Sequence, residues 1–302
     1  MKKGFKKTVF ISFFILVFIV MIFSFFVPKP HNNYDWYYDK MNLSALKKSG
    51  NTVAIIDSGY KSNSGFNESN IILKYNVIND TDDVNDEYGH GTALLSLLIG
   101  FNDGNNHVNG INPNAKVIII KAMNNQGKTT GSNLKKAIIL AVDNGANIIN
   151  ISMGTKKNND EVYEGIKYAL DNKVYVVSSV GDNQDDSIMF PATYNGVISV
   201  EAQSQNGNRY ILSNISNKTT VRVPGVNVKV YSYDSVNDMW KTYCENGSSI
   251  ASIIFSAILS TYELSEINLN YQYFEKCMEN NGFIDVKNII LEDKKWNILN
   301  YI

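Results

Sequence analysis

From about residue 51 onward, short apolar runs alternate with amphipathic stretches along the chain. The runs 52–56 and 116–123 are rich in β-branched residues and predict buried strands. Further short apolar runs predict strands at 148–152, 175–180 and 197–202. Helical spacing predicts helices over 91–100, 132–144, 160–171, 249–262 and 270–280. The second of these ends in Asn144-Gly145, a helix stop in which glycine takes the left-handed conformation. Strands alternating with helices of this length predict an α/β fold: a mostly parallel central sheet with helices on both faces. In such sheets, functional groups gather at the carboxyl ends of the strands.

The amino terminus follows another pattern. Lys2, Lys3, Lys6 and Lys7 precede an almost unbroken apolar run over 9–27. As a helix, about 19 residues nearly cross a hydrocarbon layer of about 30 Å. The run ends without a small-x-small cleavage pattern, so an uncleaved signal anchor is favoured over a cleaved signal. Residues 1–8 are then a basic cytoplasmic segment and 9–27 the membrane anchor. Residues 28–50 form a tether leading into the domain, and 51–302 form the domain itself, outside the cytoplasmic membrane. Cleavage after the anchor would instead release a secreted protein.

Composition narrows the function classes. With 302 residues, 44% of them hydrophobic, the chain can bury a sizeable core. The formal net charge of −1 offers no general attraction for nucleic acid. Two cysteines, Cys244 and Cys277, are too few for a disulfide framework. They read as free thiols, with a single bridge as the alternative in an oxidising compartment.

Three short motifs carry the candidate chemistry. Asp57 follows the strand Val53-Ala54-Ile55-Ile56 and precedes Ser58-Gly59. His90 stands in Gly89-His90-Gly91-Thr92 at the start of an apolar helix, where glycines permit close approach of other segments. Ser249 stands in Asn246-Gly247-Ser248-Ser249-Ile250-Ala251-Ser252, again at a helix start. Each has a bland reading alone: a turn aspartate, a structural histidine, a helix cap. Together they supply what a serine nucleophile requires, a base to take its proton and an acid to hold that base. Their order along the chain is Asp, His, Ser. A lipase-like hydrolase is disfavoured, because Ser249 lacks a Gly-x-Ser-x-Gly elbow and the order differs.

These motifs resemble those of subtilisin-like (S8) serine peptidases. Further segments match in order: Asn150-Ile151-Ser152-Met153-Gly154, Phe190-Pro191-Ala192-Thr193-Tyr194 and Val223-Pro224-Gly225-Val226. The resemblance covers about residues 36 to 265 and implies the three-layer subtilisin-like fold and a serine endopeptidase. It makes Ser249 the nucleophile, His90 the general base and Asp57 the residue that orients His90, with Ser248 as structural support. It places pocket walls at Ser152-Met153-Gly154 and Ser179-Val180-Gly181, and a substrate-pairing rim strand at Gly127-Lys128-Thr129. Peptide or protein is the implied substrate. No cofactor is required. A structural Ca²⁺ is the alternative, on the oxygen-rich loop 102–106.

The chain also departs from the family pattern. The oxyanion position, normally asparagine, is Asp182 in Gly181-Asp182-Asn183. An ionised carboxylate cannot donate a hydrogen bond and repels a developing oxyanion. Three outcomes follow: a protonated Asp182 that still donates, a shifted loop in which Asn183 serves, or a weak or inactive protein kept as a binding or regulatory module. Ile253 replaces a usual proline, without functional consequence. Asp185 and Asp186 would favour a basic residue before the scissile bond if either reached the pocket. Between the anchor and Asp57 there is no room for the usual propeptide. A tethered enzyme of that kind suits processing of a dedicated exported peptide, similar to lantibiotic leader peptidases.

Overall fold

The computed structural model describes residues 35–46, 50–215 and 221–264. The predicted anchor at 9–27, the predicted helix at 270–280 and Cys277 lie outside them. Among the described residues no helix is long and apolar enough to cross a membrane.

Seven parallel strands form the central sheet in the order β2-β5-β1-β6-β7-β8-β9. They are β1 (Thr52–Asp57), β2 (Ile71–Asn76), β5 (Lys116–Lys121), β6 (Ile148–Ile151), β7 (Tyr175–Ser179), β8 (Ile198–Gln203) and β9 (Val221–Pro224). The two small sheets are antiparallel pairs, β3 (Phe101–Asn102) with β4 (His107–Val108), and β10 (Val228–Asp234) with β11 (Met239–Glu245).

Side-chain alternation assigns the two faces of the main sheet. Val53 and Ile55 of β1 join one core, and Ala54 and Ile56 join the other. On the second face lie α3 (Gly131–Asp143) and α4 (Asp160–Asp171), which bury Leu134, Ala137 and Ile138, and Val162, Ile166 and Ala169. On the first face lie α2 (His90–Ile99) and α5 (Ser248–Leu259). α5 is buried nearly all round, with Ile253, Ile254, Phe255 and Ile258 fully buried, as a central helix requires. Each such side chain contributes about 1.5–3 kcal/mol of burial.

Part of the stretch read as a tether belongs to the body of the domain. Helix α1 (Trp36–Lys40) buries Trp36 and Tyr37 in the first core, and the Trp36 indole donates to the Val226 carbonyl at 3.2 Å. The segment expected as a rim strand at 127–129 begins at a turn over 124–127 and continues as irregular backbone at 128–129. The Gly127 amide donates to the Asn124 carbonyl at 3.0 Å, and the Asn124 amide to the Lys128 carbonyl at 2.9 Å. Chain segments at 101–110 form the β3–β4 hairpin, whose tip engages the carboxylate of Asp103 with the amides of Asn105 (2.9 Å) and Asn106 (2.7 Å). Both amides end on Asp103 Oδ1, which serves the turn itself. Among the described residues no group of three or more His, Cys, Asp or Glu could hold a metal.

Candidate active site

Asp57 ends β1 at the carboxyl edge of the sheet and is 1% exposed. Its Oδ1 accepts from the Ser58 amide at 2.8 Å and the Ser58 hydroxyl at 3.2 Å. The same oxygen lies 2.7 Å from His90 Nδ1. With Nδ1–H facing the carboxylate, Nε2 is left as the acceptor that a general base needs. Gly91 is glycine because a Cβ there would sit 2.2 Å from the Gly59 carbonyl oxygen. That close approach lets the turn after Asp57 press against the start of α2, and the Gly91 amide donates to Ser58 Oγ at 2.9 Å.

The start of α2 is braced by Asp86, which the sequence reading did not single out. Asp86 is 1% exposed, and its Oδ2 accepts from the Thr92 amide (2.9 Å) and hydroxyl (2.6 Å). Its Oδ1 accepts from the Gly89 amide at 2.7 Å. The one available signal was an acid four positions ahead of the histidine at a helix start. Burial penalises the charged form of His90, but the Asp57 charge and hydrogen bond outweigh it. Asp86 and Glu245 add to them, and the imidazole is raised to about 9.

Ser249 sits in the first turn of α5. Its hydroxyl donates to the Ser152 carbonyl at 3.3 Å, and no hydrogen bond joins it to His90. A ladder of buried hydroxyls fixes the helix to the end of β6. Ser252 Oγ lies 2.9 Å from Ser152 Oγ, and Asn150 bridges Ser152 Oγ (2.8 Å) and Ser256 Oγ (3.0 Å). Both His90 and Ser249 line a cleft of about 620 Å³. Its lining holds Gly127, Lys128 and Thr129 together with Ser152, Met153 and Gly154, six of the residues that the resemblance assigns to substrate contact. A second cavity of about 500 Å³ borders the same pair on the other side, walled by Glu87, Tyr88, Tyr243 and Glu245.

Three predicted residues behave differently. Ser179 and Val180 are 5% and 0% exposed and do not line either cleft, because Val180 packs against Ile188 and Ala192. Gly181 is covered by Met189, whose Sδ would lie 2.9 Å from a Cβ there. Asp185 is ion-paired with Lys156 at 2.8 Å and Asp186 is exposed, and neither lines the two clefts. The Asp185 charge is therefore answered within the protein. Cys244 is a free thiol on β11.

Asp182 stands just past β7, and its carboxyl is turned toward the start of α5. Oδ2 accepts from the Ser248 amide at 2.8 Å and the Ser248 hydroxyl at 2.9 Å. Oδ1 accepts from Ser213 Oγ at 3.2 Å. Ser248 Oγ itself accepts from the Gly181 amide at 3.1 Å, so its hydrogen is committed to Asp182. Burial raises the pKa of Asp182, against the lowering effect of Ser248, Ser213 and His90. Any proton on this acid belongs on Oδ1, because Oδ2 already receives two donors. The backbone N–H of Asn183 donates to Asn214 Oδ1 at 2.9 Å, and its side chain is exposed. The first-turn amide of Ser249 has no intrahelical acceptor and is free to meet an anion.

Comparison with known proteins bears on family and fold. The profile of the Subtilase family matches residues 48–261. A "Thermophilic serine proteinase" from Bacillus sp. (strain AK1) is 28% identical over 200 residues, 66% of this chain and 49% of the relative. Thermitase of Thermoactinomyces vulgaris is 25% identical over 177 residues, 59% of this chain and 63% of the relative. Subtilisin DY of Bacillus licheniformis is 29% identical over 219 residues, 71% and 77% of the two chains. The match thus spans about half the length of the first relative and under two thirds of the second. The fold is shared with a solved cold adapted subtilisin-like serine proteinase at a TM-score of 0.66 and 19% identity, over 80% of this chain and 87% of that one.

Proposed function

The chain belongs to the subtilase family of serine peptidases, and from that membership we propose that it is an endopeptidase working through Asp57, His90 and Ser249. The observation that carries the reading is the 2.7 Å contact between His90 Nδ1 and the buried Asp57 carboxylate, facing a cleft that Ser249 also lines. His90 Nε2 takes the Ser249 proton as Ser249 Oγ attacks the peptide carbonyl. The Oγ leaves the Ser152 carbonyl to do so, a rotation about one side-chain bond; such contacts commonly form only with substrate bound. His90 returns the proton to the leaving amine, and water then repeats the sequence on the acyl-enzyme. Asp57 keeps the imidazole in the productive tautomer throughout.

The Ser249 amide is the oxyanion donor in this reading. Asp182 braces the nucleophile helix, and its carboxyl supplies no donor while ionised. That second feature favours slow catalysis at pH values where the acid is charged. A fluorophosphonate probe tests the core of the proposal: the protein labels, and Ser249→Ala does not. Equal labelling of both would sink it.

Membrane attachment rests on the sequence pattern alone, four lysines ahead of the apolar run 9–27. It supports a peptidase held at the outer face of the cytoplasmic membrane and acting on an exported peptide. Release of the full chain from membranes by carbonate, without detergent, would contradict the anchor.

A further inference from the structure

The strands β6 and β7 are parallel neighbours, and their carboxyl ends flank the nucleophile. On one side the Ser152 carbonyl touches Ser249 Oγ; on the other, Asp182 holds Ser248. In the peptidase reading above, the crevice between the two strand ends, walled by Ser152-Met153-Gly154 and Ser179-Val180-Gly181, takes the side chain of the residue whose carbonyl meets Ser249. Both walls carry glycine there, Gly154 and Gly181, which leaves the crevice wide.

The width is already occupied. A Cβ on Gly154 would lie 2.8 Å from Met189 Cβ and 3.3 Å from its Sδ. A Cβ on Gly181 would lie 2.9 Å from Met189 Sδ and 3.0 Å from its Cγ. One methionine side chain therefore spans the gap from wall to wall. Its root is fixed, because the Met189 amide donates to the Val180 carbonyl at 3.0 Å. The cleft beside Ser249 reflects this: its lining includes Ser152, Met153 and Gly154 but none of Ser179, Val180 and Gly181.

We propose that Met189 plugs the crevice that receives the side chain of the residue acylating Ser249, so that this peptidase takes glycine, alanine or serine there and excludes large apolar and aromatic side chains. The inference rests on the peptidase reading above and gives it a substrate class. Methionine is flexible, yet moving it aside would open contact with both glycine walls. Misfit of a methylene or more in such a pocket is worth about 10- to 200-fold in discrimination.

Peptidyl diphenyl phosphonates test this without requiring turnover, since they phosphonylate the nucleophile and carry a chosen side chain at the relevant position. The full-length protein, Met189→Gly and Met189→Ala are each treated with an alanine-type and a phenylalanine-type reagent of otherwise identical sequence. The unaltered protein is expected to react at least about tenfold faster with the alanine type. Met189→Gly is expected to reverse that preference, and Met189→Ala to reduce it. A preference for the phenylalanine type in the unaltered protein, or an unchanged ratio in both variants, overturns the plug. A plain fluorophosphonate, which carries no such side chain, separates the two claims. Labelling by it alongside a failed preference refutes only the plug, whereas no labelling by any reagent refutes the peptidase reading and the plug with it.

Discussion

The two helices that carry His90 and Ser249 begin in the same unusual way, and the comparison between them explains the site. Helices α3 and α4, on the other face of the sheet, are capped by their own N-cap side chains, Thr130 on the Asn133 amide and Asn159 on the Val162 amide. Helices α2 and α5 have glycine at the N-cap, Gly89 with φ 91° and Gly247 with φ 146°, and no cap of their own. Both glycines are crowded: a Cβ would lie 2.8 Å from Ser232 Oγ at Gly89 and 2.8 Å from Asp182 Oδ2 at Gly247. In each case an aspartate from elsewhere takes over the amides, Asp86 from just upstream and Asp182 from the end of β7. The device is the same and the electrostatic result is opposite. In the proposed mechanism, the charge near α2 favours the imidazolium that would form on His90 during attack. At α5 it stands where, in the same mechanism, negative charge would develop on the substrate.

Loss of the acid behind His90 should have the largest effect on turnover. Asp57→Ala is expected to lower kcat by about 10⁴-fold, a magnitude measured on a member of this family. The variant should also bring His90 down from about 9, since Asp57 is the leading cause that raises it. A loss of less than about tenfold would show that Asp57 only packs.

Asp182→Asn moves activity the other way. The amide oxygen can still accept from Ser248, while the amide nitrogen adds a donor and the charge disappears. Such a donor is worth on the order of 100- to 1,000-fold in this family, so a rise of about tenfold or more in kcat is expected at alkaline pH. A fall would show instead that the protonated acid serves as the donor. The pH profile separates these outcomes. His90 works as a base only when neutral, and with its pKa raised to about 9, kcat/KM should climb with pH up to about that value. Burial raises Asp182 above the ordinary carboxylate range, so it gains its charge as pH rises, and the advantage of Asp182→Asn should be smallest at acid pH, where the carboxyl is protonated. A pH-independent advantage would remove the charge from the explanation.

How much of this was legible in the chain depends on the range of the contacts. The buried strands β1, β5 and β6 are rich in β-branched residues and buried on both faces, so periodicity and composition agree. The edge strand β2 alternates half-buried and exposed positions, and the β10–β11 hairpin is half-exposed along β11, so neither announces itself as an apolar run. The motifs around Asp57, His90 and Ser249 were readable because each is local. The turn of Asp182 onto Ser248 was not, since it joins residues 66 positions apart and depends on the crowded Gly247. Met189 was invisible for the same reason: a methionine in an irregular loop gains meaning only from the two glycines it touches.

The smallest prediction concerns the rim of the second cavity. Glu245, at the end of β11, is the last of the charges that raise His90, after Asp57 and Asp86. Asp86 is a poor probe of that field, because its carboxylate also holds the Gly89 and Thr92 amides, and any change there disturbs α2. Glu245→Gln removes one charge at nearly constant shape and leaves the start of α2 untouched. The His90 titration, followed through its ring proton by NMR, should shift to lower pH, by less than in Asp57→Ala. The shift should shrink as salt rises, because Glu245 is partly exposed and screening acts on it. No shift at low ionic strength would confine the field on His90 to the two aspartates, and the base would then owe its raised pKa to the α2 end of the site alone.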